Sequence, residues 1–104
     1  MPSLKTEDYM NDDSDVTCVT HTGSTLIVSP SEQAVKIATT TGDELNFIIL
    51  DKKKITVGAE PGLKYSLDDG RKLVTTFVAG HTIGHGYYIR NNGILSPTFE
   101  CLRN

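Results

Sequence analysis

Tryptophan is absent from this 104-residue chain, and apolar residues make up only 38% of it. A core of that composition is thin, or is completed by a second copy of the chain. The apolar share still excludes disorder throughout, and a chain of this size hides roughly 60–68% of the surface that its unfolded form exposes. Long hydrophobic runs are missing as well. No stretch approaches the ~18 apolar residues of a membrane-crossing helix. The opening MPSLKTEDYMNDDSD is acidic and polar, where a secretory leader is basic and then apolar. A cytoplasmic location is the resulting expectation, with no membrane partner.

Positive charge is scarce: 10 Lys and Arg stand against 13 Asp and Glu, a net charge of −3. Such a chain has no global attraction for phosphate, so nucleic-acid binding would need a local basic patch. The only dense cluster is Lys52-Lys53-Lys54. Its plain reading is a solvated hairpin turn. With Arg71, Lys72 and Arg90 it forms the alternative, nucleic-acid-binding set. Cysteine is nearly absent too. Cys18 and Cys101 lie in the alternating stretches VTCVT and FECLR, without CxxC spacing. A reducing cytosol argues against a disulfide, which leaves two small buried hydrophobes as the expectation.

Short β-rich runs separated by turn residues fill the rest. Residues 1–15 read as a flexible acidic tail, because Glu7, Asp8, Asp12, Asp13 and Asp15 repel one another and few apolar groups offset ordering. Residues 16–104 read as a single β domain. VTCVTHT and TLIVS flank Gly23-Ser24 as a hairpin. Ser29-Pro30-Ser31-Glu32 carries helix-start features, yet VKIATTT alternates with period two. A short helical turn running into a strand near 34–39 reconciles the two. ELNFIILD reads as a central strand buried on both faces, and KITVGAE as a separate strand after the lysine turn. Pro61-Gly62 reads as a break. Asp69-Gly70 and Asn92-Gly93 mark two further hairpins. Pro97 belongs at an edge or bulge. Tyr65, Phe77, Phe99 and Phe47 are candidate core. The pattern predicts an all-β, mainly antiparallel fold: a small barrel or sandwich of about six to eight short strands with at most one short helix. Exposed edges of such a sheet are commonly covered by self-pairing, so a homodimer is a further expectation.

The stretch GHTIGHGYY, residues 80–88, is the one candidate for chemistry. His81 and His85 are four apart. In a strand they would lie about 13 Å from each other, and only a helix would bring them to one metal. Gly80, Gly84 and Gly86 with β-branched Thr82 and Ile83 disfavour that helix. No metal site or cofactor is therefore expected. No nucleophile elbow, cysteine-nucleophile motif or P-loop is present, and adjacent Asp68 and Asp69 would point to opposite faces of a strand. No catalytic residue is assigned, and the reading leans away from an enzyme. The glycines point instead to a mobile loop feeding a strand that begins near Tyr87. That loop would present His81, His85, Tyr87 and Tyr88 to a ligand or partner.

LIVSPSEQAVKI, GDELNFIIL and ITVGAEP resemble in rhythm the carbon storage regulator family, over about residues 26–67. The resemblance implies an intertwined, messenger-RNA-binding β dimer. Family members carry arginines where this chain has Ser29-Pro30 and Asp68-Asp69, so no RNA-binding residue carries over. The leading reading is a small noncatalytic interaction module that binds another protein in an accessory or inhibitory role. The alternatives are a small-ligand-binding barrel using the 80–88 loop and a nucleic-acid-binding regulator using Lys52, Lys53, Lys54 and Arg90.

Overall fold

The computed structural model describes residues 14–78 and 81–103. The predicted tail therefore lies almost wholly outside the described residues. Eight strands follow in chain order: β1 (Val16–Val19), β2 (Thr25–Ser29), β3 (Ala34–Ala38), β4 (Glu44–Val57), β5 (Glu60–Leu67), β6 (Lys72–Phe77), β7 (Ile83–Ile89) and β8 (Phe99–Arg103). Each pairs antiparallel with the next, and β8 returns to β1, closing a barrel. The all-β antiparallel expectation is met in its barrel form. Closure satisfies the edges of β1 and β8 within one chain, so the intertwining that the family resemblance implied is not how these strands find partners.

The turns form where Gly supplies a positive φ. Gly23, Gly42, Gly70 and Gly93 have φ between 84° and 96°, the region that side-chain-bearing residues avoid. At Ser29–Gln33 the mixed signals resolve as expected. A single 3-10 turn, Pro30–Glu32, leads through left-handed Gln33 into β3. Ser29 makes no side-chain capping bond.

The interior is packed by the chain's own side chains. Leu26, Val28, Val35, Leu73, Cys18 and Cys101 are fully buried, and Tyr65, Phe77 and Phe99 are core as expected. Eight strands leave a bore that side chains of this size fill. Cys18 and Cys101 face each other across β1 and β8 and form a disulfide. They are buried as expected, but bonded rather than separate. The barrel places the first strand beside the last, which a sequence separation of 83 residues conceals.

Three readings of the middle of the chain are corrected. The lysines are not a turn: β4 runs through them without a break for 14 residues, so KITVGAE is no separate strand. ELNFIILD is not buried on both faces. Ile48 and Leu50 are exposed, and Phe47 is half-buried against the core. Pro61-Gly62 does not break the chain but lies inside β5. The reason is the length of β4. It pairs with β3 only over Glu44–Ile48, bulges at Leu50, and continues with β5 to Val57. Beyond β3 the strand forms a projecting lip with solvent on both faces, where charged residues are favourable. The molecule measures 47 Å along its long axis against 27 and 24 Å, close to 14 residues at about 3.3 Å each.

Candidate interaction site

The four residues singled out in the 80–88 stretch do not converge. Ala79 and Gly80 lie outside the described residues, and His81 sits in the connection before β7, its N–H donating to the Val78 carbonyl. Strand β7 starts at Ile83, not near Tyr87, so His85 is a strand residue opposite Thr76 and Glu100. His85 and Tyr87 face outward. Tyr88 faces the interior, its ring centroid 5.5 Å from that of Phe99. Among the described residues no three His, Cys, Asp or Glu side chains group as metal ligands.

Gly84 and Gly86 serve packing rather than mobility. A Cβ on Gly84 would lie 2.2 Å from the Thr76 carbonyl oxygen and 2.6 Å from the Phe77 ring. A Cβ on Gly86 would meet the Phe99 ring at 2.7 Å. Both glycines face inward, and the rings of Phe77 and Phe99 occupy the space that their side chains would take. Two bare backbone positions let two aromatics fit inside a narrow bore.

One cluster escaped the sequence reading. The Arg71 guanidinium lies 4.9 Å from the Phe47 ring centroid and 5.4 Å from that of Tyr88. Its Nε donates to Asp69 Oδ2 at 2.6 Å, and the Arg71 backbone N–H donates to Asp69 Oδ1. Burial alone would raise the Asp69 pKa, but these bonds and the Arg71 charge together lower it. Burial pushes the Tyr88 phenol up to about 12, partly offset by Arg71. The neighbouring Asp68 is also committed to structure: its N–H donates to the Ile48 carbonyl and its carboxylate accepts from the Ile48 N–H. The cluster packs Phe47 and Tyr88 against the core beside the β5–β6 turn. DDGR spells only a turn, and nothing local shows that Arg71 is aimed at aromatics 17 and 24 positions distant.

The basic residues also separate. Arg90 lies in the β7–β8 connection, its N–H bonded to the Ile94 carbonyl. Lys52 shares a register row with Tyr65, Leu73 and Tyr88, so three strand spacings, roughly 14 Å, part it from β7. Lys52, Lys53 and Lys54 instead stand together on the lip, exposed, with Lys53 directly opposite Lys64 on β5. A depression of about 420 Å³ opens where the lip leaves β3. Its lining includes Pro30, Gln33, Ile49, Leu50, Lys52 and Tyr65.

The outer wall carries the other concentration of accessible side chains. Leu102 on β8 is 52% exposed and pairs with Ile83 on β7, 61% exposed. On its other side Leu102 pairs with Thr17, which pairs with Ile27 of β2. Val19, 54% exposed, lies in the next row of β1. No family model matches the sequence, and neither a curated protein nor a solved structure shows detectable similarity to it. No helix of the described residues is long and apolar enough to cross a membrane.

Proposed function

We propose that the chain is a noncatalytic barrel module that binds another protein through its outer surface. One observation carries this reading: Ile83, Leu102 and Val19 form an exposed aliphatic cluster across β7, β8 and β1, while the bore is filled by the chain's own side chains. Scattered exposed aliphatics are ordinary, but a paired Ile83 and Leu102 with Val19 one row along on the outer wall of the barrel support a protein contact. The dispersal of His81, His85, Tyr87 and Tyr88 weighs against a ligand mouth built from that stretch. The Cys18–Cys101 bridge supports an oxidising compartment rather than the cytosol as the place of action. A photo-reactive amino acid at position 102 tests the proposal in the source cells. A discrete protein adduct, lost on Ile83→Lys and absent when the probe replaces exposed Asp43, is the expected result. Adducts of the same pattern at both positions, or none at 102, refute it. An adduct of twice the chain's mass assigns the wall to a homodimer instead.

A further inference from the structure

The Arg71 side chain is fixed by its neighbours yet keeps most of its donors free for a ligand. Asp69 Oδ2 takes the Nε–H at 2.6 Å, and the rings of Phe47 and Tyr88 lie 4.9 and 5.4 Å from the guanidinium. The hydrogen bonds of Arg71 run from Nε and from the backbone N–H. Among the described residues no buried side-chain nitrogen or oxygen lacks a partner, so the two Nη groups open to solvent. They present N–H donors in a plane that is already set. A fork held in this way loses little side-chain freedom when it takes a ligand.

A second guanidinium stands beside it. The β6–β7 ladder pairs Leu73 with Tyr88 and Lys72 with Ile89. One step further, on the face that Leu73 and Tyr88 share, Arg71 comes beside Arg90. Their chain neighbours touch: the Asn91 amide donates to the Asp69 carbonyl at 3.4 Å, and a Cβ on Gly70 would lie 2.6 Å from Asn91 Oδ1. Arg90 is exposed and, among the described residues, makes no ion pair. Apolar side chains flank the two arginines. Leu45, 47% exposed, is two residues from Phe47 on the same face of β4. Ile94, 57% exposed, accepts the Arg90 N–H on its carbonyl. The acids nearby are already committed. Both Asp69 oxygens accept from Arg71, and the Asp68 carboxylate accepts from the Ile48 N–H. Two guanidiniums against the Asp69 carboxylate leave an excess of one positive charge.

We infer that Arg71 and Arg90 bind a carboxylate carried on an apolar body, the carboxylate across the two guanidiniums and the body against Leu45 and Ile94. The Arg fork matches a carboxylate in shape, and bonds between charged groups are the strong ones. A carboxylate is favoured over a phosphate because one excess positive charge matches one negative charge. A phosphate dianion would also meet the Asp69 carboxylate, which Arg71 keeps ionised. The same chemistry has two sources, a free aliphatic acid and the C-terminus of a polypeptide that ends in a large apolar residue. The site uses none of Ile83, Leu102 and Val19, so it stands apart from the outer wall and from the crosslink at position 102.

The test is an NMR titration of the full oxidised chain, followed at the backbone amides and at the arginine Nε–H groups. The ligands are hexanoate, hexanamide, hexyl phosphate, and an acetylated peptide ending in Leu-Leu with its C-terminus either free or amidated. Hexanoate is expected to shift residues 69–71 and 90–94 and the Nε–H signals of Arg71 and Arg90. Hexanamide should leave them in place, and hexyl phosphate should bind more weakly. Arg90→Gln then weakens hexanoate binding by about tenfold, with the spectrum elsewhere unchanged as its control of folding. Arg90→Lys recovers part of the loss, because the charge returns without the fork. The peptide pair separates the sources: tighter binding of the free C-terminus than of hexanoate identifies a polypeptide end, and weaker binding a small acid. No shift at these residues with millimolar hexanoate overturns the inference. So do equal shifts with hexanamide, equal or tighter binding of hexyl phosphate, and an Arg90→Gln protein that binds as the parent does.

Discussion

Replacing Gly84 by alanine adds one methyl group to a place that has none to spare. Its Cβ would stand 2.2 Å from the Thr76 carbonyl oxygen and 2.6 and 2.8 Å from two Phe77 ring atoms. Contacts below 3.0 Å demand movement, and the nearest obstacle is backbone of the paired strand. Either the β6–β7 ladder must open or β7 must tilt, and Gly84 is also opposite Cys101 on β8. Overpacking a filled core costs about 1–3 kcal/mol, and a backbone obstacle places this site near the upper end. Removing a strand glycine returns about 0.5–1 kcal/mol. The net expectation is a loss of about 2 kcal/mol. At about 4–8 °C per kcal/mol for a domain near this size, the melting temperature falls by about 8–16 °C. Urea and thermal unfolding of the oxidised protein, followed by far-UV circular dichroism, measure both. His85→Ala, one residue along but facing out, should stay within about 0.5 kcal/mol of the parent. A Gly84→Ala protein as stable as the parent would refute the view that this glycine exists to seat Phe77.

Reducing the barrel, or making Cys18→Ala with Cys101→Ala, opens a covalent loop of 83 residues. The chain-entropy estimate for that loop is about 4.5 kcal/mol; a loss under about 1 kcal/mol in urea unfolding contradicts a barrel held shut by this bond. The Tyr88 phenol, raised to about 12 from 10.0, ionises earlier in the unfolded chain than in the folded one. Stability therefore falls as pH rises from about 10 to 12, and Tyr88→Phe removes that part of the decline in alkaline urea titrations. Asp69 works in the opposite range. Its lowered pKa gives stability that is present above 3.8 and lost as pH falls through the folded value, an acid dependence that Asp69→Asn abolishes. Arg71→Ala removes the contacts to Phe47 and Tyr88. It should cost about 1–2 kcal/mol in the same assay, whereas Arg71→Lys recovers charge without the planar stacking and so only part of the loss.

Most of the hairpins are legible because their chemistry is local, but the β4–β5 turn at Gly58-Ala59 falls inside KITVGAE, which reads as one strand. Gly23, Gly42, Gly70 and Gly93 each sit where a positive φ is needed, and alternating residues on either side announce paired strands. The strand after Gln33 was legible for the same reason. What failed depends on distant parts of the chain. Lys52-Lys53-Lys54 resembles a turn because charge runs are usually solvated. Solvation here comes from a strand that outlasts its neighbour, and the length of β3 is not written in β4. Gly84 and Gly86 resemble a loop, since glycine's local meaning is freedom. Their role is set by Phe77 and Phe99, their register partners on the neighbouring strands β6 and β8. Adjacent Tyr87 and Tyr88 must point to opposite faces of a strand, but which of them turns inward is not legible, and Arg71 is joined to Tyr88 only through the β6–β7 register. The cysteines carry no local signal at all: only closure of the sheet in sequential order brings β1 to β8.

That closure has a mechanical meaning. The chain enters the barrel beside Val16 and leaves it beside Arg103, which are register partners, and the bridge lies two residues inside from each. Tension applied to the two ends is carried across the sulfur–sulfur bond after only the outermost ladder pairs have parted. The intervening loop would otherwise pay out roughly 270–300 Å of extended chain; while the bond is intact, only the ladder pairs that Val16, Thr17, Leu102 and Arg103 make outside it are loaded. An oxidised barrel is thus a stiff link of almost fixed length, and a reducing agent turns the same molecule into an extensible one.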